Sequence, residues 1–251
     1  MMQRSTLLSL AAALWLAGCA STGDEDLRKN AAEANFKLGI GYMQSGHFNV
    51  ALEKLLKSLQ YDENNPETHN AVALIYEEIR EYGPAEAHYK RAIELRPDYT
   101  AAKINLAYFK CTREPLRLSE GESEFQQIAA DPANAGANAS EAYAGLATCA
   151  QKGNDPTQAE TWARKAIEGN PNNIRALFAL AQLSQSQGKT LQARAFLQRY
   201  HAQTRPTLQS LALGVAIESS KDGDTQLLRE YTLLLKSQFP NSDEARRLKN
   251  P

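Results

Sequence analysis

The chain has 251 residues, of which 43% are hydrophobic and 23% charged, and its formal net charge is −1. This length is sufficient for a large apolar core. A net charge this close to zero gives no attraction to nucleic acid, so we expect no nucleic-acid partner.

Residues 1–18 are predicted to be a lipoprotein signal peptide. A single positive charge, Arg4, precedes an apolar run over residues 7–16, which is too short to remain as a membrane-spanning helix. The next residues complete the sequence Leu16-Ala17-Gly18-Cys19, which resembles the bacterial lipobox. This resemblance implies cleavage before Cys19 and a covalent lipid on it. The alternative is an ordinary signal peptide followed by an accidental cysteine.

Residues 19–31 are predicted to be a flexible lipidated tether, because residues 21–30 are polar and charged. Ala20 follows the cysteine, whereas an aspartate there would resemble an inner-membrane retention signal. We therefore expect an outer-membrane location, with the protein facing the periplasm. The several acyl chains that a lipoprotein resemblance implies would bind outer-membrane lipid stably.

A large apolar residue followed by a small one recurs down the rest of the chain in steps of 34, 34, 40, 34 and 33 residues. The six copies are Leu38-Gly39, Val72-Ala73, Leu106-Ala107, Leu146-Ala147, Leu180-Ala181 and Leu213-Gly214. A period of about 34 residues is typical of the tetratricopeptide repeat (TPR), a pair of antiparallel helices. The sequence therefore predicts an all-α superhelical solenoid of six TPR helix pairs with a short C-terminal capping helix. The repeats span about 32–65, 66–99, 100–139, 140–173, 174–206 and 207–240, and the capping helix lies within 241–249.

The first copy indicates how each repeat packs. Small residues at Gly39 and Ala51 are expected where its two helices cross, with large apolar residues about one turn away. We expect Leu38 and Tyr42 to serve the same repeat core. Pro66 ends the second helix, because proline disfavours helix in the residue before it.

One step of the pattern is longer than the others, at 40 residues. Most of the excess lies in residues 132–140, PANAGANAS, which we predict to be a mobile loop.

Two cysteines, Cys111 and Cys149, remain once Cys19 is assigned to lipid. They lie towards the ends of the first helices of repeats three and four, which stack side by side in a TPR solenoid, in a compartment where disulfides persist. We predict a disulfide that closes a loop of 38 residues and contributes ~3 to 4 kcal/mol. The alternative is a pair of buried free thiols.

The sequence contains no recognisable catalytic motif. Its four histidines, His47, His69, His88 and His201, lack HExxH spacing, and there is no Walker loop, GxSxG or CxxC. His69 and His88 can approach one another in the second repeat, but two histidines without placed carboxylates are weak support for a metal site. We expect no enzymatic activity, metal, cofactor or small-molecule substrate; a hydrolase with an unrecognised site is the alternative.

A partner of a TPR protein is expected to bind along the first helices, at positions 2, 5, 9 and 12 of each repeat. In the first three repeats these positions give a candidate apolar groove formed by Phe36, Ile40, Met43, Asn70, Leu74, Ile104 and Tyr108. An outward-facing apolar strip indicates a site for an amphipathic helix or extended segment. The alternative is that these residues pack within the array or under the tether.

The lipobox, the six repeats and several longer segments together resemble the PilF/PilW family of type IV pilus biogenesis lipoproteins. The segments are LGIGYMQSGHFNVALEKLLKSLQ, the cysteine-containing YFKC and YAGLATC, and the C-terminal RPTLQSLALGVAIE and LLKSQFPNSDEAR. The resemblance implies an outer-membrane pilotin that promotes localisation or multimerisation of the pilus secretin, with the secretin subunit as its partner. The competing hypothesis is a TPR scaffold lipoprotein for another envelope machine, in cell-wall synthesis or outer-membrane protein insertion.

Overall fold

The computed structural model describes the backbone of residues 6–113 and 116–248, and within these ranges the side chains from residue 24 onward. The described residues form helices and no strand. In chain order the helices are α1 Thr6–Gln44, α2 Phe48–Tyr61, α3 Pro66–Glu78, α4 Tyr82–Leu95, α5 Thr100–Thr112, α6 Leu118–Ala130, α7 Ala137–Lys152, α8 Pro156–Gly169, α9 Ile174–Ser186, α10 Thr190–His201, α11 Leu208–Glu218, α12 Thr225–Gln238 and α13 Asp243–Arg247. The all-α fold built of successive TPR helix pairs, predicted from the 34-residue period, is confirmed.

The chain divides into two compact units, residues 1–105 and 106–251, and the division falls within α5. In the first unit the core is a cluster of fully or almost fully buried residues from α2 and α3: Ala51, Leu55, Ala71, Val72 and Ile75. Gly39 is buried where α1 crosses α2, and a Cβ atom there would lie 2.6 Å from Leu55 Cγ. The predicted packing role of Gly39 and Ala51 is therefore what the structure shows.

In the second unit, small residues again allow close helix crossings. A Cβ atom on Gly145 of α7 would lie 2.2 Å from Cζ of the buried Phe125. One cluster between α7, α8 and α9 is rich in alanine. A second, larger cluster includes residues from every helix from α9 to α13 and is centred on Leu177, Leu211 and Leu235.

Side-chain caps fix where many of the helices begin. Residues directly before α3, α8, α9, α11, α12 and α13 accept hydrogen bonds from backbone N–H groups of the first turn: Asn65, Asp155, Asn173, Thr207, Asp224 and Ser242. Each such cap contributes about 1 kcal/mol to stability. The closing helix predicted within 241–249 is present as α13.

Two stretches that the sequence predicts to be flexible contain helix. Residues 24–31 of the tether continue α1, since they include good helix formers such as alanine, leucine, arginine and glutamate. In the PANAGANAS stretch, Pro132–Asn134 form a 3-10 turn, capped by the Asp131 side chain, and α7 already begins at Ala137. Local capping and a run of alanines thus order a segment whose composition suggests a loop.

The signal peptide and the side chain of Cys19 lie outside the described side chains, so the lipid attachment stays a prediction. Within the described part of the chain, every helix is too short or too polar to cross a membrane.

Candidate partner-binding surface

The predicted groove residues of the first repeat point towards its core. Phe36, Ile40 and Met43 are half-buried and pack against the cluster that contains Leu55 and Val72. Their positions on α1 therefore serve internal packing, which is the alternative that the sequence left open.

The remaining predicted groove residues are also covered. Asn70 is 8% exposed and accepts a hydrogen bond of 3.0 Å from Asn105 Nδ2, while Leu74 is half-buried. Ile104 and Tyr108 are each 7% exposed. Three of the seven residues are thus buried and the other four are only partly exposed, so these residues offer little apolar surface to a partner.

Three of the exposed large apolar side chains of the first unit lie on the outer face of α1, which we define by Leu27, Leu38 and Tyr42; Val50 on α2 is also exposed. Leu27, Leu38 and Tyr42 are 69%, 52% and 37% exposed. Their separations of 11 and 4 residues place them on one side of the helix. The prediction that Leu38 and Tyr42 serve the repeat core is therefore wrong.

The later repeats explain this exposure. The residues equivalent to Leu38 in repeats two to five are only 0 to 5% exposed, namely Val72, Leu106, Leu146 and Leu180, whereas Leu213 in repeat six is partly exposed. Val72, Leu146 and Leu180 lie on helices α3, α7 and α9, each of which packs against the preceding helix pair. Helix α1 packs against α2 and α3, and Leu38 lies on the side of α1 that remains exposed.

Polar groups border the outer face of α1. Lys37 Nζ lies 2.6 Å from Glu33 Oε1 one helical turn away, and this hydrogen bond lowers the pKa of the Glu33 carboxyl. Both side chains are exposed, so the pair contributes little to stability. An apolar centre with a polar rim is the usual composition of a protein interface.

In the second unit, the predicted groove residue Tyr108 belongs to a polar cluster that links α5, α7 and α9. Its hydroxyl donates to Glu141 Oε1 at 3.2 Å, and Arg175 Nε donates to the same oxygen at 2.6 Å. Burial, with a smaller effect of the Glu141 charge, raises the pKa of the Tyr108 hydroxyl well above its ordinary value. Asn173 Nδ2 donates to the other Glu141 oxygen at 3.1 Å. The cluster therefore holds three helices together and contains no activated nucleophile.

The two cysteines that the sequence pairs are joined in the structure. Cys111 and Cys149 have an S–S distance of 2.04 Å and a Cα–Cα distance of 5.1 Å, and both are fully buried. A Cβ atom on Gly121 would lie 2.4 Å from Cys111 Sγ, so glycine is required where α6 approaches the disulfide.

Across the described residues, no three or more histidine, cysteine, aspartate or glutamate side chains are grouped so that they could hold a metal ion. What the described surface offers is apolar contact on the outer face of α1 with charged groups beside it, an arrangement suited to binding.

Comparison with known proteins agrees with the TPR fold. Models of the tetratricopeptide repeat match residues 66–99 and 162–195. Over 239 residues the chain is 26% identical to the type IV pilus assembly protein PilF of Pseudomonas aeruginosa, covering 92% of each chain.

Two solved structures share the fold. One is Pseudomonas aeruginosa PilF, with a TM-score of 0.63 and 23% identity over 87% of this chain and 96% of that chain. The other is PilW, a widely conserved type IV pilus biogenesis factor, with a TM-score of 0.65 and 22% identity over 86% and 96%. The chain is therefore a TPR protein that is similar to PilF and PilW over most of its length.

Proposed function

We propose that this chain is a non-enzymatic adaptor of type IV pilus biogenesis. The observation that carries the proposal is the 26% identity to PilF, which extends over 92% of both chains. In the finer form of the proposal, a lipid on Cys19 anchors the protein to the outer membrane. The adaptor then promotes localisation or multimerisation of the secretin subunit there.

The outer face of α1 is the surface that we assign to the partner. Leu38 is 52% exposed at a position that later repeats bury, so a partner helix that packs there would occupy the place of a preceding helix pair. Burial of these apolar side chains by an amphipathic helix would stabilise the complex by ~25 cal/mol for each Å² removed from water.

Anchor and binding surface lie close together in the sequence. Leu27, the first residue of the outer face of α1, follows Cys19 by eight residues. A secretin segment captured there would be held near the membrane leaflet, which raises the local concentration of subunits and favours ring assembly.

The test is complementation of a deletion strain, with secretin multimers and surface pili as the readouts. Wild-type protein and Leu191→Glu should restore both, since Leu191 is 69% exposed but lies on α10, outside the proposed surface. Leu38→Glu should restore neither while remaining folded by circular dichroism. Full restoration by Leu38→Glu would show that the outer face of α1 is not the partner site.

The anchor is tested separately by Cys19→Ala, which should leave the domain folded but remove it from outer-membrane fractions. Retention in those fractions would contradict the lipid assignment.

The second candidate, a scaffold for cell-wall synthesis or outer-membrane protein insertion, makes a different prediction. A deletion strain would then keep normal secretin multimers, and the protein would co-purify with the other machine.

A further inference from the structure

Three positions on α1 are exposed in the first repeat, although the next four repeats bury the same positions. They are Ala34, Leu38 and Gly41, which we call the docking row, and their spacing of four and three residues places them on one side of the helix. The equivalent residues of repeats two to five are at most 6% exposed: Thr68, Val72 and Ile75 in repeat two, Ala102, Leu106 and Phe109 in repeat three, Ala142, Leu146 and Cys149 in repeat four, and Ala176, Leu180 and Leu183 in repeat five. Repeat six departs from this pattern, since its equivalents Gln209 and Ala216 are exposed.

The second helix of the preceding repeat covers the equivalent row in repeats two and five. In repeat two, Val72 and Ile75 of α3 belong to one buried cluster with Leu55 of α2. In repeat five, Leu180 of α9 belongs to one buried cluster with Ala166 of α8. The covering element is an α-helix in both cases. These internal interfaces therefore show that a row of this kind accepts a helix.

An extended segment would fit the docking row poorly. The backbone N–H and C=O groups inside a helix such as α1 bond to each other, so they offer no partners to a strand laid along it. The strand's own backbone groups would lose water against the apolar row without gaining hydrogen bonds. A helix satisfies its backbone internally and presents only side chains. The docking row therefore favours a helical partner segment.

Gly41 gives the docking row a shape that the equivalent rows lack. A Cβ atom on Gly41 would meet nothing within 4 Å. In repeats two to five the same position holds a larger side chain that is buried: Ile75, Phe109, Cys149 and Leu183. In repeat one the incoming helix has to supply this volume, because a well-packed interface leaves few voids.

We propose that the outer face of α1 binds one amphipathic α-helix of its partner, which places a large apolar side chain over Gly41. The helix takes the place that the second helix of a repeat has against the next first helix, and Leu38 inserts between its side chains. This inference rests on the proposed function, which assigns the face to the partner. It adds the conformation of the bound segment and the residue that selects its shape.

The test measures the affinity of the full-length protein in detergent for solubilised secretin subunit. Gly41→Leu fills the space over the docking row, whereas Gly83→Leu makes the same change on α4, where a Cβ atom also meets nothing within 4 Å. Both glycines are exposed helical residues, and leucine is the better helix former, so both variants should remain folded. We expect Gly41→Leu to weaken binding by at least about tenfold and Gly41→Ala by less, while Gly83→Leu matches wild type.

Overlapping synthetic peptides of the secretin then report the conformation of the bound segment. The peptide that the wild-type chain binds and Gly41→Leu does not should gain helical circular dichroism on binding. A bound peptide that stays non-helical would overturn the proposal.

The outcomes separate this inference from the proposed function. If Leu38→Glu weakens binding but Gly41→Leu binds as tightly as wild type or more tightly, the face remains the partner site and the helix over Gly41 is wrong. If the wild-type chain fails to bind the secretin subunit, the proposed function is wrong and the inference falls with it.

Discussion

Truncation to alanine should lower the free energy of unfolding by very different amounts at two leucines of the first repeat. Leu55 is fully buried on α2 and packs against Gly39, so Leu55→Ala removes buried methyl groups and leaves a cavity. Such substitutions cost about 2 to 5 kcal/mol. Leu38 on α1 keeps 52% of its surface in water. Its truncation therefore loses about half of the ~2 kcal/mol that full burial of a leucine provides, and it opens no cavity.

We therefore expect Leu38→Ala to lower the free energy of unfolding by about 1 kcal/mol and Leu55→Ala by at least about twice as much. Both residues lie in the unit of residues 1–105, so urea unfolding followed by circular dichroism compares them in one cooperative region. Equal losses would refute the placement of Leu38 outside the repeat core. The same result would remove the physical basis for an exposed surface on α1.

Three further perturbations test other parts of the structure. Replacing Cys111 and Cys149 together by alanine should lower the free energy of unfolding by ~3 to 4 kcal/mol, because the disulfide no longer closes a 38-residue loop in the unfolded chain. An unchanged unfolding midpoint would contradict this. Glu218→Ala should lower the free energy of unfolding by about 3 kcal/mol. Glu218 is 3% exposed and accepts a hydrogen bond of 2.8 Å from Arg194 Nε, so its removal leaves the Arg194 charge without this carboxylate. A decrease below ~1 kcal/mol would argue against a buried ion pair. Burial lowers the pKa of His201 in the folded protein. As the pH falls below ~6.5, the unfolded chain therefore binds a proton at His201 more readily than the folded chain does, and the free energy of unfolding decreases. His201→Asn should flatten that part of the pH profile, and an unchanged slope would show that His201 does not carry it.

The repeat period was sufficient to predict the helix pairs and the residues at their closest crossing. Gly39 and Ala51 are small because α1 and α2 cross there, and this requirement is local to one repeat. Cys111 and Cys149 could likewise be paired because both lie towards the ends of neighbouring first helices.

The partner surface was less accessible to sequence reasoning. A repeat pattern gives the average surroundings of a position, but Leu38 is 52% exposed whereas its equivalents in repeats two to five are buried. The same pattern places Phe36 and Ile40 outward, although both pack against a core cluster that repeats one and two share. The missing signal was position in the array: apolar residues at core positions of a first repeat are candidates for exposure.

The most direct test of the central claim is the affinity of the purified protein for detergent-solubilised secretin subunit, compared between wild type, Leu38→Glu and Leu191→Glu. A charge at the centre of an interface typically costs about 2 kcal/mol or more, so Leu38→Glu should weaken binding by roughly thirtyfold, while Leu191→Glu should match wild type. Equal affinity for all three proteins would contradict the assignment of the outer face of α1 as the partner-binding surface.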